Sequence, residues 1–147
     1  MPGILVGIDG SEHSRRALEW AVREAALRQA PLTVLTVHQA MLSYWTTGAV
    51  AYAGDADFAK EALDAAKAET DSVLEQADAA SRPPSVTVKA VTGLPAEELL
   101  YAADGADMIV VGSRGAGGFK RLLLGSVSTQ VTHHASCPVV VIPSDNI

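Results

Sequence analysis

The sequence predicts an α/β fold: an open five-stranded parallel sheet with helices on both faces. Short apolar segments alternate along the chain with longer segments whose apolar residues recur at a helical period. Strands that are separated by helices pair in parallel, so this alternation favours a doubly wound sheet. The uninterrupted apolar run Met108–Val111 agrees with it, because strands of such a sheet are buried on both faces. The length suits one domain, which we assign to residues 1–147.

The first strand and the first helix are separated by a change of period. The apolar run Gly3–Ile8 ends at Asp9-Gly10, a pair typical of turns. After Ser11, a favourable N-cap, apolar residues recur so that they share one face of a helix. Pro31 ends that helix, because proline cannot continue the helical hydrogen bonds.

The later elements follow by the same criteria. Leu32–His38 is rich in β-branched residues, as strands are, and Ala59–Ala80 has the Ala, Glu, Asp and Lys composition of a helix. Two prolines after Arg82 end that helix. The rest of the chain is predicted as strand Ser85–Val91, helix Pro95–Ala103, strand Met108–Val111, helix Ser126–Ala135 and strand Val139–Ile142.

The segment Gln39–Gly54 does not fit this alternation. It is long for a connection in a compact domain, and it holds Tyr44, Trp45 and Tyr52. These rings could pack over the sheet, cover a ligand or contact a second subunit, and the sequence does not choose among the three.

The net charge of −6 comes from one part of the chain. In residues 41–81 two lysines face eight carboxylates, whereas the parts on either side are neutral. We expect the acidic residues of 55–78 to cover a solvated helix face, with a docking surface for a basic partner as the alternative. A glycine-rich stretch later in the chain holds Arg114, Lys120 and Arg121 and no acid, which indicates an anion site.

Composition argues against several classes of protein. The acidic total disfavours a dedicated nucleic-acid binder, whose binding face is basic. No run approaches the ~18 apolar residues of a membrane span, and the first residues lack the pattern of a signal peptide. Cys137 has no second cysteine for an internal disulfide. We therefore expect a cytoplasmic protein without nucleic-acid or membrane partners.

Histidine and cysteine residues that invite a metal or catalytic role have simpler interpretations. His133 and His134 are neighbours on a helix, where side chains diverge by about 100°, so they cannot chelate one ion together. A favourable interaction with the helix C-terminus explains them. Cys137 is typical of a small packing residue, and neither His13 nor His38 has a nucleophile beside it. We assign no catalytic and no metal-ligating residue.

The strongest functional signal is a pair of loops that follow two of the predicted strands. Ligands of open α/β sheets bind beyond such strand ends. One loop starts at Asp9, and the other runs from Gly112 to a helix that begins at Gly125-Ser126. Glycines let the backbone approach a ligand closely, and the unpaired N–H groups of a helix start favour an anion. Ser126 and Ser128 add hydroxyl donors, so the loops predict a phosphate site.

The alternative is a glycine loop without a ligand, in which Ser126 is an ordinary N-cap. The best-known phosphate motifs do not decide the question. The sequence has no P-loop, no dinucleotide fingerprint after the first strand and no nucleophile elbow.

The spacing Gly112-x2-Gly115-x9-Gly125-Ser126 resembles the ATP-binding signature of the universal stress protein family. The resemblance covers the chain except 41–58. It implies a Rossmann-like sheet with strand order 3-2-1-4-5, in which the ends of strands one and four are neighbours. The further segments that carry it are Val6–Glu12 with Ala17-Leu18, Val37-His38, Gly93-x-Pro95, Ala106–Ser113 and Cys137–Val141.

The resemblance also implies which residues bind ATP together with Mg2+. Asp9 would contact the ribose, and the backbone at Gln39 would read the adenine edge. The family commonly has an apolar residue where this chain has Gln39, so the base pocket is expected to be less apolar. Gly112 and Gly115 would line the ribose and phosphates, and Gly125–Ser128 would hold the phosphates. The implied binding residues are Ile8, Asp9, Gly10, Gln39, Gly112, Arg114, Gly115, Gly125, Ser126, Val127 and Ser128.

Three functions are open at this point. The first is an ATP-binding stress or signalling module whose nucleotide state controls conformation or partner choice. The second is a binder of another adenine nucleotide such as cyclic AMP, which would use only part of the phosphate loop. The third is an ATPase or phosphotransferase that uses Asp9 and a metal. No residue is arranged as an obvious base for water attack, so we expect at most slow hydrolysis.

The last predicted strand, Val139–Ile142, predicts a homodimer. It is apolar and uncharged, and as an edge strand it would expose unpaired backbone groups. Pairing with the same strand of a second copy would cover it and produce a two-fold dimer. The family resemblance points the same way.

Overall fold

The computed structural model describes residues 3–39, 48–114 and 125–143, with side chains described from residue 59 onward in the second range. Its elements alternate between strand and helix, as the sequence predicts. In chain order they are β1 (Ile4–Ile8), α1 (Glu12–Arg28), β2 (Leu32–His38), α2 (Gly48–Gln76), a 3-10 turn (Ala79–Ser81), β3 (Val86–Thr92), α3 (Pro95–Ala102), β4 (Met108–Gly112), α4 (Ser126–His134) and β5 (Val139–Ile142).

The described strands form one parallel five-stranded sheet in the order β3-β2-β1-β4-β5. This confirms the predicted fold and the strand order that the resemblance implies. Ile4 of β1 lies opposite Leu32 of β2 on one side and Met108 of β4 on the other. The winding therefore reverses at β1, which makes the carboxyl ends of β1 and β4 neighbours. The strand β5 lies at an edge of the described sheet, as predicted.

Alternate residues along each strand pack against helices on opposite faces of the sheet. Val6 and Val110 lie in a buried cluster with residues of α1 and α2. Leu5 and Ile109 lie in a second cluster with residues of α3 and α4. All four are at most 2% exposed, so these strands are buried on both faces, as the apolar run of β4 predicts.

Helix α2 differs most from the prediction. It begins at Gly48 rather than at Ala59, and it ends at Gln76 before a separate 3-10 turn. Gly48 and Gly54 hid the start, because each glycine disfavours a helix by about 1 kcal/mol relative to alanine. Helix α1 ends at Arg28, before Pro31, with Gln29 as a left-handed C-cap, and the remaining predicted bounds agree within one residue. The aromatic residues of the irregular segment lie outside the described residues: Tyr44, Trp45 and the side chain of Tyr52.

The described part of α2 has one buried face and one exposed face. Ala66, Thr70 and Val73 are buried. The acidic side chains described along this helix are exposed, as expected of a solvated face, except for the partly buried Glu69. Among the described helices, none has the length and apolar character that a membrane span requires.

Candidate functional site

A cleft of about 680 Å3 opens at the carboxyl ends of β1, β2 and β4. Its volume falls within the ~300–1,000 Å3 of small-molecule sites. Of the predicted residues, Gly10 does not line the cleft. Gly115, Lys120 and Arg121 lie outside the described residues. The predicted site residues that line it are Ile8, Asp9, Gln39, Gly112, Arg114, Gly125, Ser126, Val127 and Ser128.

The structure adds an apolar wall that the sequence analysis missed. Leu35, Val37, Leu99 and Val111 line the cleft together with Pro95. Each of the four aliphatic residues also packs in the cluster beneath α3 and α4. Their sequence pattern is that of ordinary core residues, so only the topology shows that they also border a cleft. An apolar wall with a few convergent polar groups is the usual composition of a ligand site.

The junction between β1 and α1 is closed by its own hydrogen bonds. Ser11 is the N-cap of α1, as predicted, and its Oγ accepts from the Ser14 N–H at 3.2 Å. One carboxylate oxygen of Asp9 accepts from both the N–H and the hydroxyl of Ser11. The Asp9 N–H in turn donates to Ser14 Oγ at 3.1 Å. Gly10 adopts φ +83°, a left-handed conformation that glycine adopts without strain. This network holds the Asp9 carboxylate at the mouth of the cleft.

The junction between β4 and α4 is built differently. Gly125 occupies the N-cap position and has no side chain to cap the helix, and the first turn contains no acid. The Gly125 N–H donates to the Ser113 carbonyl. Ser126 is the first helical residue and its side chain is exposed. The prediction that Ser126 is an ordinary N-cap, which belonged to the alternative without a ligand, is therefore wrong. The positive end of α4 borders the cleft and has a glycine as its N-cap residue, which favours an anion there.

Ser128 lies two residues after Ser126 in this first turn, and it is buried. Its hydroxyl donates to the carbonyl oxygens of Ser113 and Gly125, each at 3.1 Å. The hydroxyl that the sequence suggests as a phosphate donor is thus engaged within the protein. The exposed Ser126 hydroxyl and the N–H groups of the first turn are the donors that this helix offers to a ligand.

The two junctions touch at Gly112. A Cβ added to Gly112 would lie 3.0 Å from the carbonyl oxygen of His13 and 3.2 Å from its carbonyl carbon. Only glycine lets the first turn of α1 approach the end of β4 so closely. Both helix starts consequently border one cleft.

The charges near the cleft have both signs. Arg114 contributes a positive charge to the wall, and Asp9 contributes a negative one. Burial raises the pKa of Glu69 on α2; the Arg15 guanidinium opposes this effect and the Asp9 carboxylate adds to it. Arg15 donates to Ser72 Oγ at 3.1 Å, which ties α1 to α2 beside Asp9.

The described residues contain no group of three or more side chains that could hold a metal ion by themselves. His133 and His134 lie in the last turn of α4, with ring centroids 4.8 Å apart and an edge-on arrangement. Cys137 is partly buried against the cluster beneath α3 and α4. Burial is the main cause that raises the pKa of its thiol, which favours the unreactive form expected of a packing residue.

Comparisons with known proteins find relatives over nearly the whole chain. The sequence model of the universal stress protein family matches residues 2–143. A universal stress protein of Mycolicibacterium smegmatis is 36% identical over 147 residues, which are 98% of this chain and 49% of that protein. The universal stress protein YxiE of Bacillus subtilis is 36% identical over 144 residues, which are 95% of this chain and 97% of that protein. The chain thus spans about half the length of the mycobacterial relative and nearly all of the other.

Solved structures agree with these sequence matches. The universal stress protein UspA from Lactobacillus plantarum has a TM-score of 0.73 at 31% identity, over 96% of this chain and 97% of that one. A universal stress protein in complex with cAMP has a TM-score of 0.61 at 28% identity, over 97% and 96%. The universal stress protein from Archaeoglobus fulgidus in complex with dAMP has a TM-score of 0.63 at 26% identity, over 97% and 98%.

Proposed function

The chain belongs to the universal stress protein family, and from this premise we propose that it is an ATP-binding module whose nucleotide state controls its conformation or its choice of partner. Two relatives of the same fold were solved with adenine nucleotides, one with cAMP and one with dAMP. Their similarity extends over 97% of this chain and supports adenine-nucleotide binding in general. The choice of ATP is the finer part of the proposal.

The observation that carries the proposal is the uncapped start of α4 at the cleft. The first N–H groups of a helix have no partner within the helix, and here the N-cap residue Gly125 has no side chain to cap them. Phosphate groups satisfy such donors and complement the positive end of the helix dipole. Ser126 and Arg114 would add a hydroxyl donor and a positive charge to the same binding site.

The rest of the cleft suits a nucleoside. Asp9 lies in the cleft wall, and its carboxylate is a suitable acceptor for ribose hydroxyls. The apolar wall that includes Leu99 and Val111 offers a surface for a base, with Gln39 at its rim. The volume of the cleft is adequate for a nucleotide.

A bound Mg2+ would neutralise charge on the phosphates. This ion is usually held by one or two carboxylates together with substrate phosphates, and it keeps several waters. The absence of a three-ligand cluster among the described residues is compatible with that mode, since the triphosphate would supply ligands. Asp9 is the carboxylate of the cleft wall that could take part, directly or through water.

Cyclic AMP is the second candidate, because one relative was solved with it. It would occupy the nucleoside part of the cleft but would place a single phosphate charge near α4. A preference for ATP over cAMP in direct competition would support the α4 start as a polyphosphate site. A preference for cAMP would favour the second candidate.

The first experiment is to denature the purified protein and identify any nucleotide that it releases. We expect ATP or ADP in near-stoichiometric amount, or binding of added Mg-ATP by calorimetry if the protein is purified empty. Release of nothing, together with no binding of added Mg-ATP, would contradict the proposal.

We also propose that the protein is a homodimer that pairs through β5. This strand lies at the edge of the described sheet, and its residues Val139–Ile142 are only partly buried. Light scattering should give twice the mass of one chain. A monomer at micromolar concentration would overturn this proposal.

A further inference from the structure

Ser128 has an unusual place beneath the start of α4. The residue is 2% exposed although its side chain is polar. Its hydroxyl lies 3.1 Å from the carbonyl oxygen of Ser113 and 3.1 Å from that of Gly125. A hydroxyl has one proton to donate, so the two carbonyls share it. The side chain therefore ties the first turn of α4 to the residue that follows β4.

Ser113 is itself anchored on the other side. Its N–H donates to the carbonyl oxygen of Ile142 in β5 at 2.8 Å, and its carbonyl also accepts from the Gly125 N–H. The start of α4 is thus fastened to the sheet through Ser113 by two donors, one from the backbone and one from Ser128. Of these two bonds to the Ser113 carbonyl, only the one from the Gly125 backbone would remain after removal of the Ser128 hydroxyl.

We propose that Ser128 is a positioning residue for the phosphate site. Its hydroxyl does not touch the ligand; it orients the first N–H groups of α4 by holding the first turn against Ser113. Hydrogen bonds weaken steeply when the donor–hydrogen–acceptor angle departs from linearity, so a small tilt of these donors weakens their hydrogen bonds to phosphate. The inference rests on the proposed nucleotide site, and it predicts an effect on phosphate that does not extend to the nucleoside.

Thr132 supplies a matched control on the same helix. Its hydroxyl also donates to helix carbonyls, those of Ser128 at 2.9 Å and Thr129 at 3.0 Å. These bonds lie within the helix and do not connect α4 to the sheet. The side chain of Thr132 is exposed and does not line the cleft. Thr132→Ala therefore removes a similar bond without releasing the start of α4.

The test compares affinities for Mg-ATP and for adenosine, measured by calorimetry on the wild-type protein, Ser128→Ala and Thr132→Ala. We expect Ser128→Ala to bind Mg-ATP roughly tenfold more weakly, the size of effect that one net hydrogen bond supports, and adenosine within about twofold of wild type. Thr132→Ala should match wild type for both ligands. Circular dichroism checks that both variants are folded.

Two results would overturn the inference while leaving the proposed function intact. One is an unchanged Mg-ATP affinity in Ser128→Ala, and the other is an equal loss for Mg-ATP and adenosine. A wild-type protein that binds neither ligand would instead overturn the proposed function, and this inference with it.

Discussion

Two strand-to-helix junctions meet at one edge of the sheet, and they treat the start of their helix in opposite ways. At the β1–α1 junction, Ser11 caps the helix and Asp9 orients the cap, with Glu12 in the first turn. At the β4–α4 junction, Gly125 occupies the N-cap position and offers no side chain to cap the helix. A helix start whose N–H groups are capped by a side chain of the protein stabilises the fold. One that is left unsatisfied beside a cleft can receive an anion.

The two junctions also differ in the charged residue that each places at the cleft, Asp9 at one and Arg114 near the other. The capped junction carries Asp9, whose carboxylate is oriented by the chain itself and suits the hydroxyls of a neutral sugar. The uncapped junction is followed by exposed Ser126 and faces Arg114 in the cleft wall, both of which suit phosphate. The two junctions would therefore bind different parts of one nucleotide.

Gly125→Val should produce the largest effect. A branched side chain at the cap position would occupy the space that phosphate needs over the N–H groups of α4. We expect Mg-ATP affinity to fall at least ~100-fold, equivalent to about 2.7 kcal/mol. The backbone here has φ −75° and ψ 176°, an extended conformation that valine adopts readily, so the fold should persist. Calorimetry measures the binding and circular dichroism the fold; affinity equal to wild type would show that the site lies elsewhere.

Gly112→Ala should affect stability, because it forces the two junctions apart. The new Cβ would lie 3.0 Å from a backbone oxygen of His13, and backbone cannot move aside as a side chain can. We expect the free energy of unfolding in urea to fall by about 1–3 kcal/mol. Gly7→Ala is the control, since its Cβ would meet methyl groups of Leu99 that can shift, and it should cost less. The reverse order would mean that the contact at Gly112 is not tight.

A pair of serine variants tests the two helix starts directly. Ser11→Ala removes a cap and should lower the free energy of unfolding by about 1 kcal/mol. Ser126→Ala removes no cap, so its stability should stay within about 0.5 kcal/mol of wild type. For Mg-ATP affinity we expect the larger loss in Ser126→Ala. Urea titration and calorimetry on the same preparations measure both quantities, and an equal stability loss in the two variants would remove the distinction between the junctions.

The sequence predicted the strands and their order of appearance because buried parallel strands are continuously apolar and are bounded by glycine and proline. It located Asp9, Gly112 and Gly125 for the same reason, since each stands where a strand or loop ends. It missed the start of α2, where glycines conceal the helix. The order in which the strands lie side by side in the sheet was predicted from the family resemblance and not from the residues alone.

The rest of the site could not be predicted because it depends on distances between remote segments. Leu99 and Val111 have the pattern of core residues, and only the sheet order makes them a cleft wall. Ser128 looks like a phosphate donor in the sequence. Its burial and its bonds to two carbonyls became visible only when Ser113 and α4 were placed together.

The smallest expected effect concerns Glu69, which lies near the capped junction beside Arg15 and Asp9. Burial raises its pKa in the folded state above the ordinary 4.5. Below pH 4.5 both folded and unfolded chains hold the proton, so stability is complete there. As the pH rises through the raised folded pKa, the unfolded chain loses its proton first, and stability falls. Glu69→Gln keeps the neutral form at every pH, and it should therefore unfold like wild type below pH 4.5.

At neutral pH Glu69→Gln should be more stable than wild type, by less than about 1 kcal/mol because the group is only partly buried. Urea unfolding at pH 4 and pH 7 measures the difference, with Glu75→Gln on the exposed face of the same helix as the control. A stability gain of the same size at both pH values would show that the charge of Glu69 is not its cause. A gain confined to neutral pH would show that the carboxylate of Glu69 opposes folding, mainly because it is partly buried and to a smaller extent because Asp9 is near.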